Sequence, residues 1–240
     1  MADHQAAGAL SPNHGERRGG AMPDMVVLHY TAMESAAAAR ERLCDPAAEV
    51  SAHYLIAADG EVAALVPEER RAWHAGVARW GAVTDVNSHS IGIELANRGD
   101  EPFAEAQMRA LEGLLAEMLP RWRIVPERVV GHACIAPGRK VDPGPRFDWR
   151  RLALQGLAVW LDCCRPGGLA DAGTFQRVAL AFGYPTPATG AWDPETLAVW
   201  QAFAARFRPG EAAGPPTGPG VGHLERLAAR WPVQDPVPPA

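Results

Sequence analysis

Val129-Val130-Gly131-His132-Ala133-Cys134-Ile135-Ala136-Pro137-Gly138-Arg139-Lys140-Val141-Asp142-Pro143-Gly144-Pro145 joins a short apolar run to a loop bearing histidine, cysteine, lysine and aspartate. The glycine and proline content beyond Val130 argues against a helix or a central strand there. A loop that leaves a strand end and gathers groups able to bind a metal or move protons is a common seat of chemistry. The remainder of the first domain is expected to bring further groups to it.

Working outward, Met25-Val26-Val27-Leu28-His29-Tyr30 reads as a buried strand with His29 at its end. Ser35 to Leu43 is alanine-rich and reads as a helix ended near Asp45-Pro46. His53 to Ala57, then Asp59-Gly60, then Val62 to Val66 predicts a β-hairpin, because Asp-Gly between apolar runs is a strong turn signal. Trp73-His74-Ala75-Gly76 opens a long aromatic-bearing loop that continues to Ser88. In Ser90-Ile91-Gly92-Ile93-Glu94-Leu95-Ala96 strict alternation puts Glu94 on the face opposite Ile93 and Leu95. Phe103 to Leu119 carries an apolar stripe at spacings of three and four, and Asp148 caps a helix to Leu157. The expected fold is α/β: a central mixed β-sheet flanked by helices.

Residues 1–22 are polar and glycine-rich and read as a mobile N-terminal arm, so the catalytic domain is placed at 23–164. Arg165-Pro166-Gly167-Gly168 reads as a linker to a small all-α module at 168–232. Its helices are expected at Thr174–Phe182, at Pro194–Phe207 and, after a Pro/Gly-rich stretch from Glu211 to Gly222, at Leu224–Trp231.

The 240 residues, 48% hydrophobic and 21% charged, suit a globular chain of one or two domains. A net charge of -5 without a basic run gives no reason to expect nucleic acid. No apolar segment is long enough to span a bilayer. Met1-Ala2-Asp3-His4-Gln5 does not begin a signal peptide, and the adjacent Cys163-Cys164 pair fits disulfide geometry poorly. These features point to a cytoplasmic chain, read as a monomer.

His29, His132 and Asp142 can supply the three ligands of a catalytic zinc site, which keeps one position open. Glu94 would be the carboxylate that accepts a proton from water, and Lys140 the cation beside a developing oxyanion. Blander readings compete with each: a hydrogen-bonded structural His29, a half-exposed Glu94, an Asp142-Pro143 that merely opens a turn. His53 and His74 read as lining or supporting a pocket. HExxH is absent. Cys134 beside His132 is the rival nucleophile, or a fourth ligand that would close the open position.

At these residues the chain resembles the type-2 N-acetylmuramoyl-L-alanine amidases, zinc enzymes related to phage lysozyme-amidases and peptidoglycan-recognition proteins. Val27 to Thr31, Ser51 to Ile56, Trp73 to Gly76, Ser90 to Glu94 and Gly131 to Gly144 are similar to five of the family's signatures, in order. The resemblance implies zinc on His29, His132 and Asp142, Glu94 as acid/base, and Lys140 as oxyanion partner. It implies hydrolysis of the amide between N-acetylmuramic acid, plain or 1,6-anhydro, and L-alanine of the stem peptide. Trp73 and Trp80 are candidate walls for glycan or peptide, with His53 and His74 beside them. Cys134 stands where the family commonly has aspartate. Phe175-Gln176, Gly183-Tyr184, Gly190 to Thr196 and Phe203 to Pro209 are similar to a peptidoglycan-binding helical module. The implied partners are muropeptides or the polymeric sacculus; that module would favour the periplasm, the absent leader the cytoplasm. A muropeptide-binding protein without activity is the alternative.

Overall fold

The computed structural model describes residues 11–162 and 168–233; Cys163-Cys164 and linker residues 165–167 lie outside the described residues. The strands are His14–Gly15 (β1), Met25–Tyr30 (β2), Tyr54–Ile56 (β3), Val62–Ala64 (β4), Arg71–Ala72 (β5), Ser90–Leu95 (β6) and Val129–Gly131 (β7). The helices are Ala36–Cys44 (α1), Val86–His89 (α2), Glu105–Trp122 (α3), His132–Ile135 (α4), Trp149–Leu154 (α5), Ala172–Phe182 (α6), Pro194–Phe207 (α7) and Gly218–Arg230 (α8).

Five strands form one mixed sheet in the order β4-β3-β6-β2-β7, with β2 parallel to both β6 and β7, β3 parallel to β6, and β4 antiparallel to β3. The near-continuous apolar run of β2 matches its place inside the sheet, covered on both faces. Val26 and Leu28 join Ile91, Ile93 and Leu95 against the α3 stripe of Met108, Leu111, Leu115 and Met118. Met25 and Val27, on the other face, pack with Val130, Trp80 and the aromatic residues of α6 and α7. Near β3, α1 covers Leu55 and Leu65. Ser35 caps α1 by accepting from the Ala38 N–H, and Asp148 caps α5 through Arg151 N–H.

Three expectations are corrected. Residues 11–22 are no mobile arm: Ser11 and Asn13 are buried, and β1 pairs with β5. Asn13 donates to the carbonyls of Asp45 (2.8 Å) and Val50 (2.9 Å), and Arg17 to those of Glu68 (2.7 Å) and Ser88 (2.7 Å). Polar side chains that satisfy buried carbonyls fasten a segment without apolar anchors. The stretch after Val130 does contain a helix, the single turn α4. The last helix starts at Gly218, inside the Pro/Gly-rich stretch, where Thr217 caps it through Gly220 N–H and Pro219 fits the first turn. The helices after residue 168 are as numerous as expected, but they share one continuous core with the sheet.

Candidate active site

The register of the sheet builds the site. His29 on β2 is directly opposite Glu94 on β6, and Leu28 is opposite Gly131, which delivers His132 at the start of α4. Paired residues of adjacent strands project from the same face, so His29 and Glu94 point together. The backbone of the α4 turn holds the loop that follows: Ala133 N–H donates to Asp142 O at 2.9 Å. Asp142 is thereby brought back beneath the two histidines.

His29 Nδ1 lies 2.9 Å from His132 Nδ1 and 3.0 Å from Asp142 Oδ2, and His132 Nδ1 lies 3.1 Å from the same oxygen. All three residues are buried, and among the described residues they are a group whose atoms could hold a metal ion together. His132 Nε2 faces the carbonyl of Ala75 at 3.1 Å, which can only accept, while Arg139 Nη2, 3.5 Å from the same nitrogen, gives its protons to the carbonyls of Ala75 (2.6 Å) and Val77 (2.7 Å); the ring therefore carries its proton on Nε2 and turns a lone pair towards the other two atoms. Two nitrogen lone pairs and a carboxylate oxygen converging at such spacing fit a small divalent cation, and the mixed N/O set suits zinc. Burial, with His132 close by, brings the His29 imidazole down to about 4. Burial alone would raise the Asp142 carboxyl, but the imidazoles of His132 and His29 beside it hold it well below the usual carboxylate range.

Glu94 Oε2 is buried and has no hydrogen-bond partner among the described residues. Burial first, then the Asp142 charge, pushes the Glu94 carboxyl up to about 8, while Lys140 pulls the other way. Lys140, His74, Trp73 and Glu94 line one cleft of about 370 Å³ with the three candidate ligands. Met33, Arg42 and Arg139 also line it, and nothing in the local pattern singled them out.

Not every expected residue is there. His53 is fully buried away from the cleft, its Nδ1 accepting from Gly92 N–H (2.9 Å) and its Nε2 facing Arg70 O (3.0 Å). Trp80 is 2% exposed and packs edge-on against Tyr184 and Phe182, so it forms no wall of the cleft. Cys134 is also turned into the core, its sulfur 3.7 Å from Tyr184 Oη, which removes both its nucleophile and its ligand readings.

The profile described as N-acetylmuramoyl-L-alanine amidase matches residues 19–145, a span that contains every group of the site. The chain belongs to this family. It is 38% identical over 210 residues to N-acetylmuramoyl-L-alanine amidase AmiD of Escherichia coli K12, covering 77% of this chain and 75% of that protein. The crystallised AmiD complex with anhydro-N-acetylmuramic acid-L-Ala-D-gamma-Glu-L-Lys superposes with a TM-score of 0.79 at 33% identity, over 91% of this chain and 98% of that one. AmpDh3 of Pseudomonas aeruginosa, in complex with anhydromuramic pentapeptide, gives a TM-score of 0.75 at 31% identity, over 97% and 99% of the two chains. The fold, the mixed sheet with helices following it, is common to these amidases.

Proposed function

We propose that this chain hydrolyses the amide joining the lactyl group of N-acetylmuramic acid to L-alanine of the stem peptide, and that 1,6-anhydro-muropeptides are among its substrates. The observation that carries the reading is the meeting of His29, His132 and Asp142 within 3.1 Å of one another, with Glu94 in register beside His29. The substrates named for AmiD and AmpDh3 support the anhydro sugar.

His29, His132 and Asp142 would hold zinc. When bound, the ion supplies polarisation of the scissile carbonyl and a water acidic enough to attack near neutral pH. Glu94, whose Oε2 has no partner among the described residues, takes a proton from the attacking water in its ionised form. As the carbon–nitrogen bond breaks, the same carboxyl returns that proton to the departing alanine amine. Lys140 lines the cleft and offsets negative charge on the carbonyl oxygen. Trp73 borders the same cleft and is a contact for sugar or peptide.

Incubating the zinc-loaded protein with anhydro-muropeptide and, separately, with intact sacculi tests the reading. Release of free stem peptide with about one zinc per chain is expected. Glu94→Ala is expected to keep the metal and lose about 10²–10⁴-fold in turnover. Muropeptide binding without peptide release would support a sensor instead. Preference for the soluble substrate would support a role in recycling within the cytoplasm. Preference for sacculi would support the periplasm and a wall-binding role for the helices after residue 168.

A further inference from the structure

The two histidines of the proposed metal site need their protons on Nε2, and one short loop supplies the partner for each. We propose, on the basis of the amidase reading above, that loop 73–76 sets both tautomers and that His74 is the positioning residue for His29.

The assignment follows from which groups can donate. A backbone carbonyl only accepts. Val86 O lies 2.6 Å from Ser90 Oγ, so the hydroxyl proton of Ser90 points to it. Ser90 Oγ must then accept from His74 Nε2, 3.2 Å away, which puts the His74 proton on Nε2 and a lone pair on Nδ1. His74 Nδ1 is 3.0 Å from His29 Nε2, which therefore donates, leaving His29 Nδ1 as a lone pair in the ligand triangle. Ala75, the next residue, gives His132 the same tautomer through its carbonyl at 3.1 Å. Every proton in the chain runs one way, from His29 to the Val86 carbonyl. An outer partner of this kind orients a metal-binding imidazole and raises its basicity.

The surroundings are built for this arrangement. Asn87 Oδ1, on a buried side chain, accepts from the N–H groups of His74 (3.1 Å) and Ala75 (2.9 Å) and holds the loop in place. Gly92 sits under the His74 ring, where a Cβ would lie 2.5 Å from its carbon atoms. On one face of β6, then, Ser90 bonds the ring, Gly92 makes room for it, and Glu94 supplies the carboxyl.

Zinc affinity, measured by competition with a chromophoric chelator, tests the assignment in wild type, His74→Phe, His74→Gln and Ser90→Ala. His74→Phe is expected to weaken zinc binding roughly 10–100-fold. The amide oxygen of His74→Gln can accept from His29, and most of the loss is expected to be recovered. Ser90→Ala should weaken binding in the same direction by less. Unchanged affinity in His74→Phe, or a raised KM alone, overturns the assignment, the latter because it marks a substrate contact. Equal losses in the Phe and Gln variants overturn it as well, since only packing would then matter. Should His74→Phe fail to fold by circular dichroism, Ser90→Ala decides: weakened zinc binding supports the relay, and wild-type affinity overturns it. A wild-type chain that binds no zinc overturns the amidase reading and the assignment together. One that binds zinc and cleaves muropeptide, while His74→Phe keeps full affinity, overturns the assignment alone.

Discussion

Glycine at position 92 illustrates how a single atom separates a working site from a crowded one. A Cβ there would stand 2.5 Å from His74 Cγ and Cδ2, closer than real side chains approach. Gly92→Ala must push the ring off Ser90, off His29, or both. Overpacking of this kind costs about 1–3 kcal/mol of stability. The larger effect is expected at the metal, where a displaced outer partner weakens affinity by roughly tenfold or more. A zinc titration beside a urea melt separates the two, and wild-type zinc affinity in Gly92→Ala would show that the ring has slack. Cys134 gives the opposite case. Its neighbours are Tyr184 and the core aromatics, not the cleft, so Cys134→Ala should retain turnover within about twofold and lose about 1–2 kcal/mol of stability to the small cavity. Abolished turnover with zinc retained would restore the cysteine as nucleophile.

At the scale of elements, legibility depended on whether a segment is held by a repeating apolar pattern. The strand Met25–Tyr30 and the helix Pro194–Phe207 were readable to the residue, because apolar runs, an N-cap acid and a first-turn proline are local signals. The candidate site was legible only through the resemblance: a strand end, a strand interior and one loop leave bland readings open for His29, Glu94 and Asp142, and it is the five ordered motifs that draw these residues together with His132. The segment 11–22 was not legible. Its anchors are side chains reaching carbonyls some thirty to seventy positions away, and no periodicity records that. Arg17 shows how firm the attachment is: its guanidinium serves the carbonyls of Glu68, Asn87, Ser88 and Ser90. Ser90 begins the strand that carries Glu94, so the segment braces the floor of the cleft. Arg17→Met strands several of these acceptors, each costing about 1–3 kcal/mol when buried and unsatisfied. A loss of about 2–4 kcal/mol in denaturant unfolding is expected; no change would mean that water or neighbours replace the guanidinium and that the segment is dispensable.

For the whole molecule, the decisive fact is that the helices after residue 168 and the sheet bury one core. Trp80, from the loop after β5, packs against Phe182 and Tyr184, and Val27 and Val130 share a cluster with Phe175, Phe203 and Phe207. Arg206 reinforces the join: buried on α7, it donates to Val129 O at 3.0 Å and stacks 4.3 Å over the Trp149 ring. Trp80 reads from the sequence as a candidate wall for glycan or peptide because an aromatic residue in a loop gives no sign of helices arriving a hundred positions later. Val129 and Val130 lead directly into His132, so whatever loosens α7 also loosens the strand that positions a candidate ligand. Stability of the helices and integrity of the site are therefore one property. Calorimetry is expected to show a single unfolding transition, coincident with release of zinc. Phe203→Ala, which empties a fully buried position, should cost about 3–5 kcal/mol and shift both signals together. Two separate transitions, with Phe203→Ala moving only the one that leaves zinc in place, would show instead that the helices fold as an independent module.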